Sequence, residues 1–166
     1  MGLAYETKYL DFAKGEQKVP EYLKLNPHGR MPTIVDHSNN DFTVWYVFYP
    51  ESLSRLVLEA DIDGRDSTAI LTYLVDKYDP EHKISARTER EKYSQIQWLY
   101  FQSSDQASFF GHTFYLTSLH SEKIPSVANR YKSEVIRIIR ELDGVLAKQK
   151  WLVGGKPSVA DFAFVM

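Results

Sequence analysis

The chain contains no cysteine, so no disulfide cross-links it and no thiolate can hold a metal. Histidine is scattered: His28, His37, His82, His112 and His120 show none of the spacings by which imidazoles share a metal ion. Positive charge is not concentrated anywhere. With a net charge of −2 and no long basic run, the sequence offers no face for a phosphate backbone, which argues against nucleic-acid binding. No apolar run approaches the roughly 20 residues that cross a bilayer, so no membrane span is expected. The first residues, Met1-Gly-Leu-Ala-Tyr-Glu6, lack the basic-then-apolar pattern of a secretory signal, and a cytoplasmic location is the default expectation. Repeats and low-complexity tracts are lacking as well.

What is present is globular in character. Of 166 residues, 43% are hydrophobic and 25% charged, enough for one domain or two small, closely packed ones. Tyr5 to Phe12 alternates partly and predicts a strand. After the polar stretch Lys14 to Val19, Pro20 suits the first turn of a short helix through Leu25. Asn26-Pro-His-Gly-Arg30 is turn chemistry. Met31 to Asp36 and Asp41 to Trp45 then read as a hairpin around Ser38-Asn39-Asn40.

The second half reads as helical. Ser67 to Tyr78 sets Ile70, Leu71, Leu74, Val75 and Tyr78 on one face, with Asp79-Pro80 as the stop. Thr88 opens a helix to about Ser103 that would bury Tyr93, Ile96, Leu99 and Tyr100, and 109–119 either continues it or begins another. Pro125 opens a further helix whose stripe is Val127, Tyr131, Val135, Ile138, Leu142 and Val145. Ser158-Val-Ala-Asp161 is a variant capping box before Phe162.

In their order and spacing, five segments resemble the glutathione S-transferase family, in the branch of the fungal nitrogen-regulator-like proteins. They are Gly2-Leu-Ala-Tyr-Glu6, Leu10-Asp-Phe-Ala-Lys-Gly-Glu-Gln17, Asn26-Pro-His-Gly-Arg-Met-Pro32, Ala69-Ile-Leu-Thr-Tyr-Leu74 and Trp151-Leu-Val-Gly-Gly-Lys-Pro-Ser-Val-Ala-Asp161. The resemblance implies an α+β fold: an incomplete thioredoxin-like domain over residues 1–82, then an incomplete all-helical domain over 88–166. It also implies glutathione as co-substrate without a further cofactor, a small apolar electrophile as second substrate, and a homodimer.

The site residues come from the same resemblance. The family's proline after the Asn-Pro turn follows a cis peptide bond. Met31-Pro32 would thus present main chain to the cysteinyl part of glutathione, in the manner of an added strand. The residues alone suggest instead a trans proline opening a strand. Asp66 and Ser67 correspond to the acid-Ser pair that receives the γ-glutamyl end, with Asp where Glu is usual; the bland alternative is an ordinary helix cap. Gln17 and Arg30 fall where the family contacts glutathione's polar ends. Tyr100, Phe109, Phe110 and Phe114 are candidates for the electrophile pocket, although aromatics at helical spacing are more often core.

Two departures accompany the resemblance. Gly2-Leu-Ala-Tyr5 matches the junction after the family's first strand and helix, whose loop carries the group that stabilises the glutathione thiolate. No catalytic residue is therefore named in this chain, and truncation at both ends is the expectation. The second departure is Tyr46 to Arg65, which interrupts the family's direct run from Trp into acid-Ser. Glu51-Ser52 imitates that pair, but the residues after it do not match. Trp45 is necessarily TGG, and Tyr46-Val47, Ala60-Asp61 and Arg65 are compatible with donor, branch and acceptor signals of an unspliced intron. A genuine family-specific loop is the alternative. Three functions stay open: glutathione conjugation, a non-catalytic regulatory or binding role on the same scaffold, and a gene-model fragment with no stable product.

Overall fold

The computed structural model describes residues 2–45 and 67–165. Residues 46–65, and with them the proposed insertion, lie outside the described residues, as does Asp66.

The expected strand at Tyr5 to Phe12 does not form. Residues 2–11 carry no regular structure, and Tyr5 and Tyr9 are 87% and 90% exposed. A strand exists through its ladder partners, and among the described residues none lies beside this segment. Two short 3-10 turns follow, Phe12–Lys14 and Glu16–Lys18, joined at Gly15. The first is capped by Asp11, whose carboxylate accepts from the Ala13 N–H at 3.0 Å.

Helix α1 (Pro20–Leu25) begins at its proline as expected. Strands β1 (Thr33–Asp36) and β2 (Phe42–Trp45) pair antiparallel, with Thr33 opposite Trp45 and Asp36 opposite Phe42. The turn between them needs Asn40 and Asp41 at positive φ, a conformation that short polar side chains tolerate.

Helix α2 (Thr68–Tyr78) lies on the hairpin, its Tyr73 ring 5.4 Å from that of Phe42. Its end is fixed by Asp79, which is 3% exposed. The Asp79 carboxylate accepts from the N–H groups of Lys83, Ile84 and Ser85 and from the Ser85 hydroxyl, all within 2.9 Å. Burial pushes its pKa up, but those four donors outweigh burial and bring it from 3.8 to about 2. A depressed carboxyl stabilises the fold above its unfolded pKa and loses that contribution as pH falls through the folded one. About 2 kcal/mol should therefore disappear between pH 4 and pH 2 in urea melts of the parent. The Asp79→Asn difference from parent should shrink over the same window.

Helix α3 (Glu89–Phe101) starts at a Thr88–Glu91 capping box. Its α-helical part ends at Phe101, close to the expected Ser103, but the helical path continues beyond it. It runs through a π-helical stretch, Gln102–Ala107, into α4 (Ser108–Phe114) and a second π stretch, Tyr115–Leu119. Its buried stripe agrees with the expected one at Leu99 and differs elsewhere: Tyr93 and Tyr100 are exposed, while Gln95, Gln102 and Gln106 are buried. The glutamines can lie there because they are paired. Gln95 Oε1 accepts from the Ala86 N–H at 3.0 Å, and Gln102 donates to Gln106 at 3.0 Å.

Helix α5 (Pro125–Leu146) buries Ile138 completely and packs on α4, where Tyr131 meets Phe109 and His112. Helix α6 (Val159–Ala163) sits in the core. Val75 of α2, Leu99 of α3, and Val159 and Ala163 of α6 form one cluster, so the mixed half and the helical half share an interior. Leu152, Val153 and Ala160 form a second with Trp98, Leu142, Val145 and Phe164.

Candidate functional site

The segment from Asn26 to Thr33 is held from beneath by one buried side chain. Asn26 follows α1 and is fully buried. Its Nδ2 donates to the Arg30 carbonyl at 2.8 Å and to Thr33 Oγ1 at 3.2 Å, and its Oδ1 accepts from the His28 N–H at 2.9 Å. Tyr22 of α1 adds its hydroxyl to the Arg30 carbonyl at 2.6 Å and lies 2.8 Å from Thr33 Oγ1. Gly29 closes the turn at φ +62°, where a Cβ would come 2.8 Å from the Gln17 carbonyl; no side chain fits. The chain leaves this turn through a cis Met31–Pro32 bond and enters β1.

Gln17 packs under the same turn. It is 6% exposed, and its Oε1 is buried without a hydrogen-bond donor among the described residues. A buried amide oxygen lacking a donor is an acceptor waiting for one. Arg30 and Met31 are half-buried on the turn itself, and Pro32 is exposed beside them. Ser67 occupies the cap position of α2 but makes no side-chain cap hydrogen bond, while its carbonyl accepts from the Leu71 N–H at 2.8 Å.

Phe109 faces Tyr131 at 5.9 Å. Tyr100, Phe110 and Phe114 are 65%, 37% and 55% exposed. Among the described residues no group of three His, Asp or Glu side chains is placed to hold a metal. No helix among them is long and apolar enough to cross a membrane.

Two family models match the chain: the glutathione S-transferase N-terminal domain over residues 1–45 and its C-terminal domain over residues 105–166. Glutathione S-transferase 1 of Schizosaccharomyces pombe is 40% identical over 166 residues, covering 99% of this chain and 64% of the relative. The chain belongs to the glutathione S-transferase family.

Among solved structures, the chain is similar to the glutathione transferase URE2P6 from Phanerochaete chrysosporium in complex with oxidized glutathione. The TM-score is 0.82 and the identity 46%, over 99% of this chain and 66% of that one. The transcriptional regulator URE2 of Saccharomyces cerevisiae is 29% identical, with 99% of this chain and 51% of that protein aligned. The chain thus spans a little under two thirds of the length of the glutathione S-transferase relatives it matches. The match places it in the nitrogen-regulator-like branch, with a thioredoxin-like first part and a helical second part.

Sequence reasoning identified the turn but not what holds it. Asn26 opens that turn pattern, in which Pro27 fixes φ and Gly29 permits positive φ. Its second role, an amide that carries the Arg30 carbonyl and Thr33 together, depends on α1 folding back beside β1. Tyr22, read only as a helix residue, supplies the other half of that support.

Proposed function

We propose that the chain binds glutathione between the Met31–Pro32 edge and the N-terminus of α2, and that in the intact protein it conjugates glutathione to a small apolar electrophile. The observation that carries this reading is the turn leading into β1, pinned from below by the buried Asn26 amide, in a chain 46% identical to a transferase solved with oxidized glutathione. The Met31 main chain pairs with the cysteinyl unit as an added strand would. Ser67, with the first N–H groups of α2, takes the γ-glutamyl carboxylate, and Asp66 takes the ammonium. Arg30 and Gln17 serve the polar ends of the tripeptide, and the unfilled Gln17 acceptor receives a donor only when ligand is present.

The electrophile lies along Tyr100, Phe109, Phe110 and Phe114. Residues 1–82 act as the glutathione-binding domain and 88–166 as the helical domain, in a cytoplasmic homodimer. No residue of this chain is assigned the stabilisation of the glutathione thiolate.

The test is calorimetric titration with glutathione. The parent chain should bind with one site per chain, and a heat signal no larger than dilution would falsify the reading. Gln17→Met separates function from stability by sign. It removes a buried acceptor without a donor, so urea stability should rise by about 1 kcal/mol while glutathione affinity falls. If both fall together, Gln17 is merely structural.

A second reading has its own observation: relatives that include a transcriptional regulator. Saturable glutathione binding without turnover of an activated aryl halide favours it. Cooperative unfolding would exclude a chain with no stable product.

A further inference from the structure

Asp36 ends β1 at the opposite end from Pro32, and three side chains of α2 close on it. The hydroxyls of Tyr73 and Tyr78 each donate to Asp36 Oδ2 at 2.5 Å, and Lys77 Nζ lies 3.0 Å from the same oxygen. The other oxygen accepts from the Ser38 N–H at 2.9 Å and the Ser38 hydroxyl at 2.7 Å. Lys77 also stands over both tyrosine rings, 5.8 and 5.4 Å from their centroids. The carboxylate side chain is only 9% exposed. The Tyr73 hydroxyl first, then those of Tyr78 and Ser38, hold its pKa far below the ordinary carboxylate range.

This is more than a hairpin turn requires. The Ser38 N–H and hydroxyl serve the turn at Asp36; the Tyr73, Lys77 and Tyr78 donors bring α2 to it. Direction then matters. Strand β1 leads from Pro32 to Asp36, and α2 leads from Ser67 to Tyr73, Lys77 and Tyr78. Both elements open at a candidate glutathione contact and both run to one carboxylate. At about 100° per residue, positions 73, 77 and 78 span about 140° of the helix circumference, so the grip resists rolling as well as sliding. Ser67 lies about 9 Å along the axis from Tyr73, and a tilt of about 10° there would displace it by about 1.5 Å. A ligand contact tolerates roughly 0.5 Å.

We propose that Asp36 is a positioning residue for glutathione, setting the tilt and roll of α2, and so the place of Ser67, against the Met31–Pro32 edge. The proposal rests on the glutathione reading above. Its test is a double-mutant cycle on the full chain, with the glutathione Kd from calorimetry and the fold of each variant checked by urea melts. Asp36→Asn should weaken binding about 10-fold in the parent and less than about 2-fold in a Ser67→Ala background, because the group it positions is then gone. The double variant Tyr73→Phe with Tyr78→Phe, which keeps both rings, should behave alike and carries the test if Asp36→Asn does not fold. Equal losses in both backgrounds, or an unchanged Kd, overturn the proposal while leaving glutathione binding intact. Absence of binding by the parent chain overturns the glutathione reading itself.

Discussion

Asp161→Ala should cost about 3 to 5 kcal/mol, the largest stability loss expected of any single substitution here. The Asp161 carboxylate accepts three hydrogen bonds: from the Leu152 N–H at 2.9 Å on one oxygen, and from the Ser158 N–H at 2.8 Å and the Ser158 hydroxyl at 2.7 Å on the other. Ser158 and Leu152 are 1% and 5% exposed, so water cannot replace the lost acceptor. The damage spreads because α6 holds Val159, Ala160 and Ala163, which contribute to both core clusters. A domain's whole stability is roughly 5–15 kcal/mol, so about a fifth or more would go. Asp161→Asn should fall between, since its amide keeps one acceptor and turns NH2 towards donors on the other side. Urea unfolding followed by tryptophan fluorescence measures both. An Asp161→Ala loss below about 1 kcal/mol would show that the box is decorative.

Asn26→Ala should cost about 2 to 4 kcal/mol and should weaken glutathione binding more than its stability loss implies. The side chain is fully buried and makes three hydrogen bonds. Without it, Tyr22 alone holds the Arg30 carbonyl and Thr33, and the turn that carries Arg30 and Met31 gains freedom. Asn26→Asp is the more telling variant. Asp is nearly the same size, but it sets a carboxylate oxygen where an NH2 now faces the Arg30 carbonyl at 2.8 Å. Two acceptors then oppose each other in a dry site, so Asn26→Asp should be at least as harmful as Asn26→Ala. If Asn26→Asp behaves as the parent, volume rather than the amide's donors supports the turn. Calorimetry at matched folded fractions separates the binding effect from the stability effect.

How much of this was legible beforehand depends on the range of the interaction involved. Pro20 opening α1, the hairpin around Ser38–Asn40 and the Thr88 and Ser158 helix starts all rest on contacts within a few residues, and they stand in the structure; of the α5 stripe, Ile138 is buried and Val127 is exposed. The candidate turn was legible for the same reason, because Asn-Pro-His-Gly is local chemistry. The strand at Tyr5 to Phe12 failed because a strand is made by its neighbours, and alternation cannot supply them. The α3 stripe departs from its apolar pattern at the tyrosines and glutamines because polarity does not fix exposure. Gln95, Gln102 and Gln106 are buried on partners that only the folded chain provides.

The sequence by itself determined the absence of cysteine chemistry, the order of a mixed half and a helical half, the local helix and turn signals, and the motif order that marks the family. Tertiary structure decided which carbonyl Asn26 carries, that Gln17 lies buried without a donor, and that Asp36 gathers Tyr73, Lys77 and Tyr78 from 37 to 42 residues away. The reason is physical. Backbone propensity and capping act over one or two turns of chain, whereas burial and hydrogen-bond partnership are set by what the fold brings alongside.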